Sequence, residues 1–201
     1  MTKRFHDRGE SLWELGDEIF VRCPNCRKQA TVLRSSTECR FTCRHCGASR
    51  VSDGTGPAGV AIATVSRRCN GCGRWLQRKI RRWGPHPPKI QVGCPDCSQR
   101  TSVAVTWLAP AVGEPNDPWF GLPLWLQTRC AGEVLWAFNA RHLSLLKSYA
   151  GASLRERKPK VNRSLASRLP TWIKEANHRE AVLRGVSRLE ALMAGMKKML
   201  A

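Results

Sequence analysis

The sequence predicts a small metal-stabilised α+β fold, with two cysteine-rich units of short antiparallel sheets followed by a small C-terminal helical domain. Three observations carry that prediction. Eight of the ten cysteines fall in four Cys-x-x-Cys pairs, Cys23/Cys26, Cys43/Cys46, Cys69/Cys72 and Cys94/Cys97. Taken in order they form two sets of four, with 16 residues between the pairs of the first set and 21 in the second. Strand-like runs flank each pair, whereas apolar residues at helical spacing dominate only after residue 138. A Cys-x-x-Cys turn aims two thiolates at one centre, and two such turns supply the closed tetrahedron of sulfurs that holds a structural zinc. Two zinc ions per chain are therefore expected, sequentially paired. A nested pairing of outer with outer and inner with inner pairs needs longer loop closures. Cys39, four residues before Cys43, and His45, inside the second turn, are alternative ligands for the first site; the paired turns favour a strand thiol and a loop residue instead.

The 201 residues divide into a lead-in (1–18), a first cysteine unit (19–56), a second (57–109), a proline-rich apolar connector (110–132) and the helical domain (133–201). In the lead-in, Leu12, Trp13 and Leu15 are expected to pack on the first unit. That unit is expected to run a strand over 19–22 into the Cys23 turn, return over 30–33 and enter the Cys43 turn over 40–42. Gly47 supplies the positive φ that ends such a turn, and Pro24 stiffens the first one. The stretch CPNC…CRHCG resembles the zinc ribbons of transcription and translation proteins. That resemblance covers about residues 19–52. It implies a binding platform for RNA polymerase, RNA, DNA or protein, and no catalysis.

Residues 53–59 read as a glycine-rich linker; they lack the Lys-Ser/Thr of a phosphate loop. The second unit opens with a strand over 60–65 and continues past Cys69 and Cys72 into the most basic stretch of the chain. There Trp75 and Trp83 alternate with Arg74, Arg78, Lys79, Arg81 and Arg82. Aromatic faces among cations suit single-stranded nucleic acid, where bases stack and phosphates pair. The structural alternative is a hairpin whose tryptophans cover the metal core while its arginines meet water. Residues 84–88 read as a stiff hairpin tip projecting that basic arm, 90–92 return to the Cys94 turn, and 101–107 close the sheet.

Residues 120–126 are a dense apolar run that requires burial, and Cys130 reads as a core thiol. Asn139 is a good N-cap for a helical run that places Leu143, Leu146 and Ala150 with Leu145, Tyr149 and Leu154 on one broad face. Arg155, Arg157, Lys158 and Lys160 make its end basic. Asn162 and Pro170 open two short helices, and Asn177 caps a last one bearing Val182, Leu183, Val186, Leu189, Leu192, Met193 and Met196. His142 and His178, each beside an arginine, read as solvated helix residues.

The net charge is +19, with 24 arginines against 10 lysines. Residues 57–109 carry 9 basic groups and a single acid, Asp96, whereas residues 1–20 carry 3 against 5. Such a footprint points to a polyanionic partner, either nucleic acid or a nucleoprotein complex such as RNA polymerase. A basic composition without functional meaning is the bland alternative. No nucleophile–base set, open metal site or nucleotide loop is readable, so a non-enzyme is expected. No signal sequence or membrane span is read, and paired thiols suit a reducing compartment, so the expected location is cytoplasmic, including nucleoid association. The expectation is a nucleic-acid-binding or polymerase-associated adaptor. The alternatives are a protein-interaction scaffold, with the C-terminal helices docking a partner, and a thiol redox sensor.

Overall fold

The computed structural model describes residues 4–52, 59–108, 115–156 and 164–200, with backbone alone at 155–156 and 196–200. Residues 53–58 of the expected linker, the end of the second unit and the start of the proline-rich connector at 109–114, and Arg157, Lys158, Lys160 and Asn162 lie outside the described residues, as does the Met196 side chain.

The chain begins with β1 (Arg4–His6). Next come β2 (Glu18–Arg22), β3 (Gln29–Arg34), β4 (Cys39–Thr42) and β5 (Ser49–Ser52), a continuous antiparallel sheet in that order. Its inner face follows the period-2 pattern: Ile19 and Val21, Ala30 and Val32, then Phe41 are buried, while on the other face Arg22 and Arg40 are exposed and Phe20 packs partly buried against the C-terminal core. The second unit holds two separate antiparallel pairs, β6 (Val60–Arg68) with β7 (Trp75–Trp83) and β8 (Lys89–Gly93) with β9 (Arg100–Ala104). They enclose a small core of Val65, Leu76, Val92 and Val103 beside two cysteines. The basic strand therefore pairs back onto β6 through the Cys69 turn. Residues 84–88 are not a hairpin tip but the link between two hairpins, tied down where the Trp107 Nε1–H donates to the Pro87 carbonyl at 2.8 Å. Likewise β9 ends at Ala104 and pairs only with β8, so no single sheet is closed by 101–107.

The apolar run at 120–126 finds its burial on the first sheet. Asp117 organises the approach, its carboxylate accepting from the backbone N–H groups of Trp119, Phe120 and Leu122. Phe120, Leu122 and Leu124 then join Ile19, Val21, Val32 and Phe41 in one core. The Arg22 N–H donates to the Pro123 carbonyl and the Trp125 N–H to the Phe20 carbonyl, so the segment extends the sheet beyond β2.

β10 (Leu126–Cys130) and β11 (Glu133–Ala137) form a hairpin ahead of the helices, so the C-terminal region is not purely helical. Helix α1 (Ala140–Gly151) follows, then β12 (Leu154–Glu156), α2 (Leu165–Arg168), α3 (Thr171–Lys174) and α4 (Arg179–Leu200). The second core lies among this hairpin and the helices, with Leu143, Leu146, Val182, Val186, Leu189 and the Cys130 thiol inside it. Ser164 caps α2 through an acceptor bond from the Ser167 N–H.

Residues 4–18 are not a lead-in to the first sheet alone. β1 pairs in parallel with β12, and Phe5 meets Tyr149 edge-on. Leu15 is buried in the helical core rather than the first unit, Leu12 touches both cores, and Trp13 stays exposed against Trp119. The acidic groups of this segment also have a use: Glu10 and Asp17 both pair with Arg141.

Candidate metal centres and basic face

Each Cys-x-x-Cys sequence forms the tip of a hairpin, between β2 and β3, β4 and β5, β6 and β7, and β8 and β9. The four tips share one backbone pattern. The N–H four residues after the first cysteine donates back to that cysteine's carbonyl, from Arg27, Gly47, Gly73 and Ser98. Those four residues take positive φ, at 61°, 72°, 73° and 57°. Gly47 was expected in this role, whereas Arg27 and Ser98 adopt the same left-handed conformation with a side chain. The reversal turns following amides onto the sulfurs: Cys23 accepts from Asn25 and Cys26, Cys43 from His45 and Cys46, and Cys69 from Gly71 and Cys72.

The tips meet in sequential pairs. All four sulfurs of Cys23, Cys26, Cys43 and Cys46 lie within 4.8 Å of one another, as do those of Cys69, Cys72, Cys94 and Cys97. Cys23 to Cys46, Cys26 to Cys43, Cys69 to Cys97 and Cys72 to Cys94 are each 3.6 Å between sulfurs. A disulfide would require about 2.05 Å. A tetrahedron with metal–sulfur bonds of about 2.3 Å has edges of about 3.8 Å, so the clusters match a metal-centred geometry. In each turn the first cysteine is buried toward the core, and the second is exposed except for the half-buried Cys26.

The donor chemistry fits a cation. Backbone amides lower Cys69 to about 6, and the Lys28 amide leads in lowering Cys26 to about 7. At Cys72 the Arg74 amide also pulls down, but the neighbouring sulfurs and burial outweigh it and push the thiol up to about 12. Four thiolates this close cannot all ionise without a positive charge between them. Cys39 is a buried strand thiol raised by desolvation, and His45 is exposed, its backbone N–H serving the Cys43 sulfur; neither belongs to a four-sulfur cluster.

The basic stretch is split by the pleat of β7. Register with β6 places Trp75, Lys79 and Arg81 on one face, opposite Arg68, Thr64 and Ile62. Arg78 and Arg82 lie on the other face with Leu76 and Ile80. Trp75 is 55% exposed with the Arg68 guanidinium 5.8 Å from its ring. Trp83 is different. Its ring meets Phe41 and Phe120, and Arg50 stacks on it at 4.6 Å, so it fastens the second unit to the first core rather than offering a stacking face. Arg74 forms an ion pair with Asp96 at 2.7 Å, joining the two turns of the second cluster. Arg81 also reaches the Gly121 carbonyl at 3.4 Å.

Sequence reading missed Arg68, whose place opposite Trp75 follows only from the hairpin register. It also misplaced His142, which is buried rather than solvated. The helical period carried the signal, since His142 lies four residues before Leu146 on the apolar face of α1. His178 is half-buried, its Nδ1 3.0 Å from the Trp172 carbonyl oxygen and 3.2 Å from Glu175. Comparison with known proteins gives no match, either to a protein-family model, to a curated protein or to a solved structure. Among the described residues no helix is long and apolar enough to cross a membrane.

Proposed function

We propose that the two four-cysteine clusters are structural zinc sites of tandem zinc ribbons, and that the chain is a nucleic-acid-binding adaptor. Sulfur-only, closed coordination is the pattern of structural zinc and leaves no position for substrate, which favours binding over catalysis. The single observation that carries the binding reading is the outer face of the β6–β7 hairpin. There an exposed Trp75, flanked by Arg68, stands in line with Lys79 and Arg81, in a unit whose sole acid is already paired to Arg74. Stacking on an indole with phosphates held by the flanking cations is how unpaired bases are gripped without sequence preference. Arg78 and Arg82 add positive potential from the opposite face. Trp83 leaves the contact set, and Arg68 enters it.

The test is anisotropy of a short labelled single-stranded oligonucleotide, titrated with zinc-loaded protein at two salt concentrations. Affinity should fall steeply between about 50 and 200 mM salt as counterions are released. Trp75→Ala should weaken binding by about 1–3 kcal/mol at either salt. Lys79→Ala and Arg81→Ala should each flatten the salt slope by about one. Affinity indifferent to salt and to Trp75→Ala rejects this face as a nucleic-acid site. An acidic protein surface gripped by the same cations is then the remaining reading, tested by partner recovery that survives nuclease and fails in the Arg81→Glu, Arg82→Glu chain.

A further inference from the structure

The second unit holds a groove of about 470 Å³ between β7 and β8, away from the Trp75 end of the hairpin. Its floor is apolar. Trp107 is buried against Ala61 and Ala63, and the half-buried Ile80 and Ile90 close around it. The indole N–H is taken by the Pro87 carbonyl at 2.8 Å, and the His86 ring lies 5.1 Å from the indole, so the floor is held in place.

The rim is cationic. Arg82 from β7 and Lys89 from β8 border the groove, both exposed, and neither side chain is paired with a described residue. No carboxylate lines it, and the sole acid of residues 57–109, Asp96, is engaged by Arg74 at the metal turns. Arg81 borders the groove and also belongs to the Trp75 face by register, so one run of positive charge joins the two. Arg82 stands seven residues beyond Trp75 on β7, about 23 Å at the rise of an extended strand. Stacked nucleotides advance about 3.4 Å each, so about seven cover that distance, and fewer when the strand is drawn out. Sites of about 4–16 nucleotides are ordinary for a module that grips a single strand.

We propose that this groove is a second subsite of the nucleic-acid face. It takes one nucleotide of the same strand that stacks on Trp75, with the phosphate held by Arg82 and Lys89 and the base over Ile80 and Ile90. The proposal rests on the reading of the Trp75 face as a nucleic-acid site. An acidic peptide would satisfy the two cations but leave the apolar floor uncovered. A nucleotide carries the anion and a flat ring in one unit.

Anisotropy of labelled thymidine oligonucleotides, a trimer and a decamer, with the full zinc-loaded chain tests it. Even at twice the stacked rise of about 3.4 Å, three nucleotides cannot reach from Trp75 to Arg82, whereas ten can. Lys89→Ala and Gln91→Glu alter exposed positions of β8 on the groove. Each should weaken the decamer at least about fivefold and leave the trimer within about twofold, and Lys89→Ala should flatten the decamer's salt slope by about one. Trp75→Ala should weaken both lengths. Trimer binding that persists in the β8 variants, with two zinc ions per chain, shows that the hairpin is intact in them. A decamer weakened by Trp75→Ala but indifferent to both β8 variants overturns the groove and leaves the Trp75 face standing. Failure of both lengths to bind, or indifference of both to Trp75→Ala, removes that face and the groove with it. Binding of oligoglutamate that Lys89→Ala abolishes, with the decamer unaffected, also overturns the proposal and gives the groove to an acidic protein segment.

Discussion

At the residue scale, the four metal turns show what a left-handed residue costs. A Cβ at Gly47 or Gly73 would meet nothing within 4 Å, so the penalty of adding one is purely conformational. Gly47→Ala and Gly73→Ala should each lose about 1 kcal/mol in urea unfolding of the metal-loaded protein. Ser98→Gly, at a φ of 57°, should gain a few tenths up to about 1 kcal/mol. Equal effects of all three would mean that the shared turn geometry is not what sets stability there. His142 gives a pH signature. Burial lowers its folded pKa to about 3 from 6.5, so between those values the unfolded chain binds more protons than the folded one. The stability that comes from keeping the ring neutral is complete above about 6.5 and is lost as pH falls, by up to about 1.4 kcal/mol per pH unit. Unfolding midpoints between pH 6.5 and 5 with zinc in excess should show this slope, and His142→Gln should flatten it.

At the element scale, the hinge between the sheet of β2–β5 and the helices is Asn139. It caps α1 by accepting from the His142 N–H at 3.0 Å, while its Nδ2 donates to the carbonyls of Leu15 and Glu18, each at 2.7 Å. Asn139→Ala should cost about 2–4 kcal/mol, more than loss of a cap alone, because the buried Leu15 carbonyl and the part-buried Glu18 carbonyl also lose their donor. A loss near 1 kcal/mol in denaturant titration would limit Asn139 to capping. The cap was legible in the sequence, since Asn before a helical period is a strong local signal. Its ties across more than a hundred residues were not, because nothing local records a long-range partner. The β10–β11 hairpin escaped sequence reading for a related reason. Only Leu126 and Cys130 of β10 and Leu135 and Ala137 of β11 are buried, and the polar Gln127, Thr128 and Arg129 between the first two leave no two-residue apolar period to read.

At the scale of the whole molecule, the cysteine spacing made the two clusters legible, because thiolates must converge and the spacing limits how. The split of the basic stretch was not legible, because it depends on a register fixed by the Cys69 turn. Trp83 shows the consequence: adjacent to Arg82 in sequence, it packs partly buried against the first core in space. The two units also differ in how much they depend on metal. The first shares Phe120, Leu122, Leu124 and Phe138 with the rest of the chain, whereas the second has two small clusters, Val65, Leu76, Val92 and Val103 beside its cysteines and Ala61, Ala63 and Trp107 farther along β6. Chelation should therefore unfold β6–β9 while the first sheet and the helices keep slow amide exchange. Simultaneous loss of protection throughout would mean that one cooperative unit spans both sites. The most direct measurement is the zinc content of the purified chain, parent against Cys97→Ser. Two zinc ions per chain, with one retained in the variant, is the result expected from two independent four-sulfur centres. A chain that folds with no metal, or a variant that keeps two, would contradict the account on which every other assignment rests.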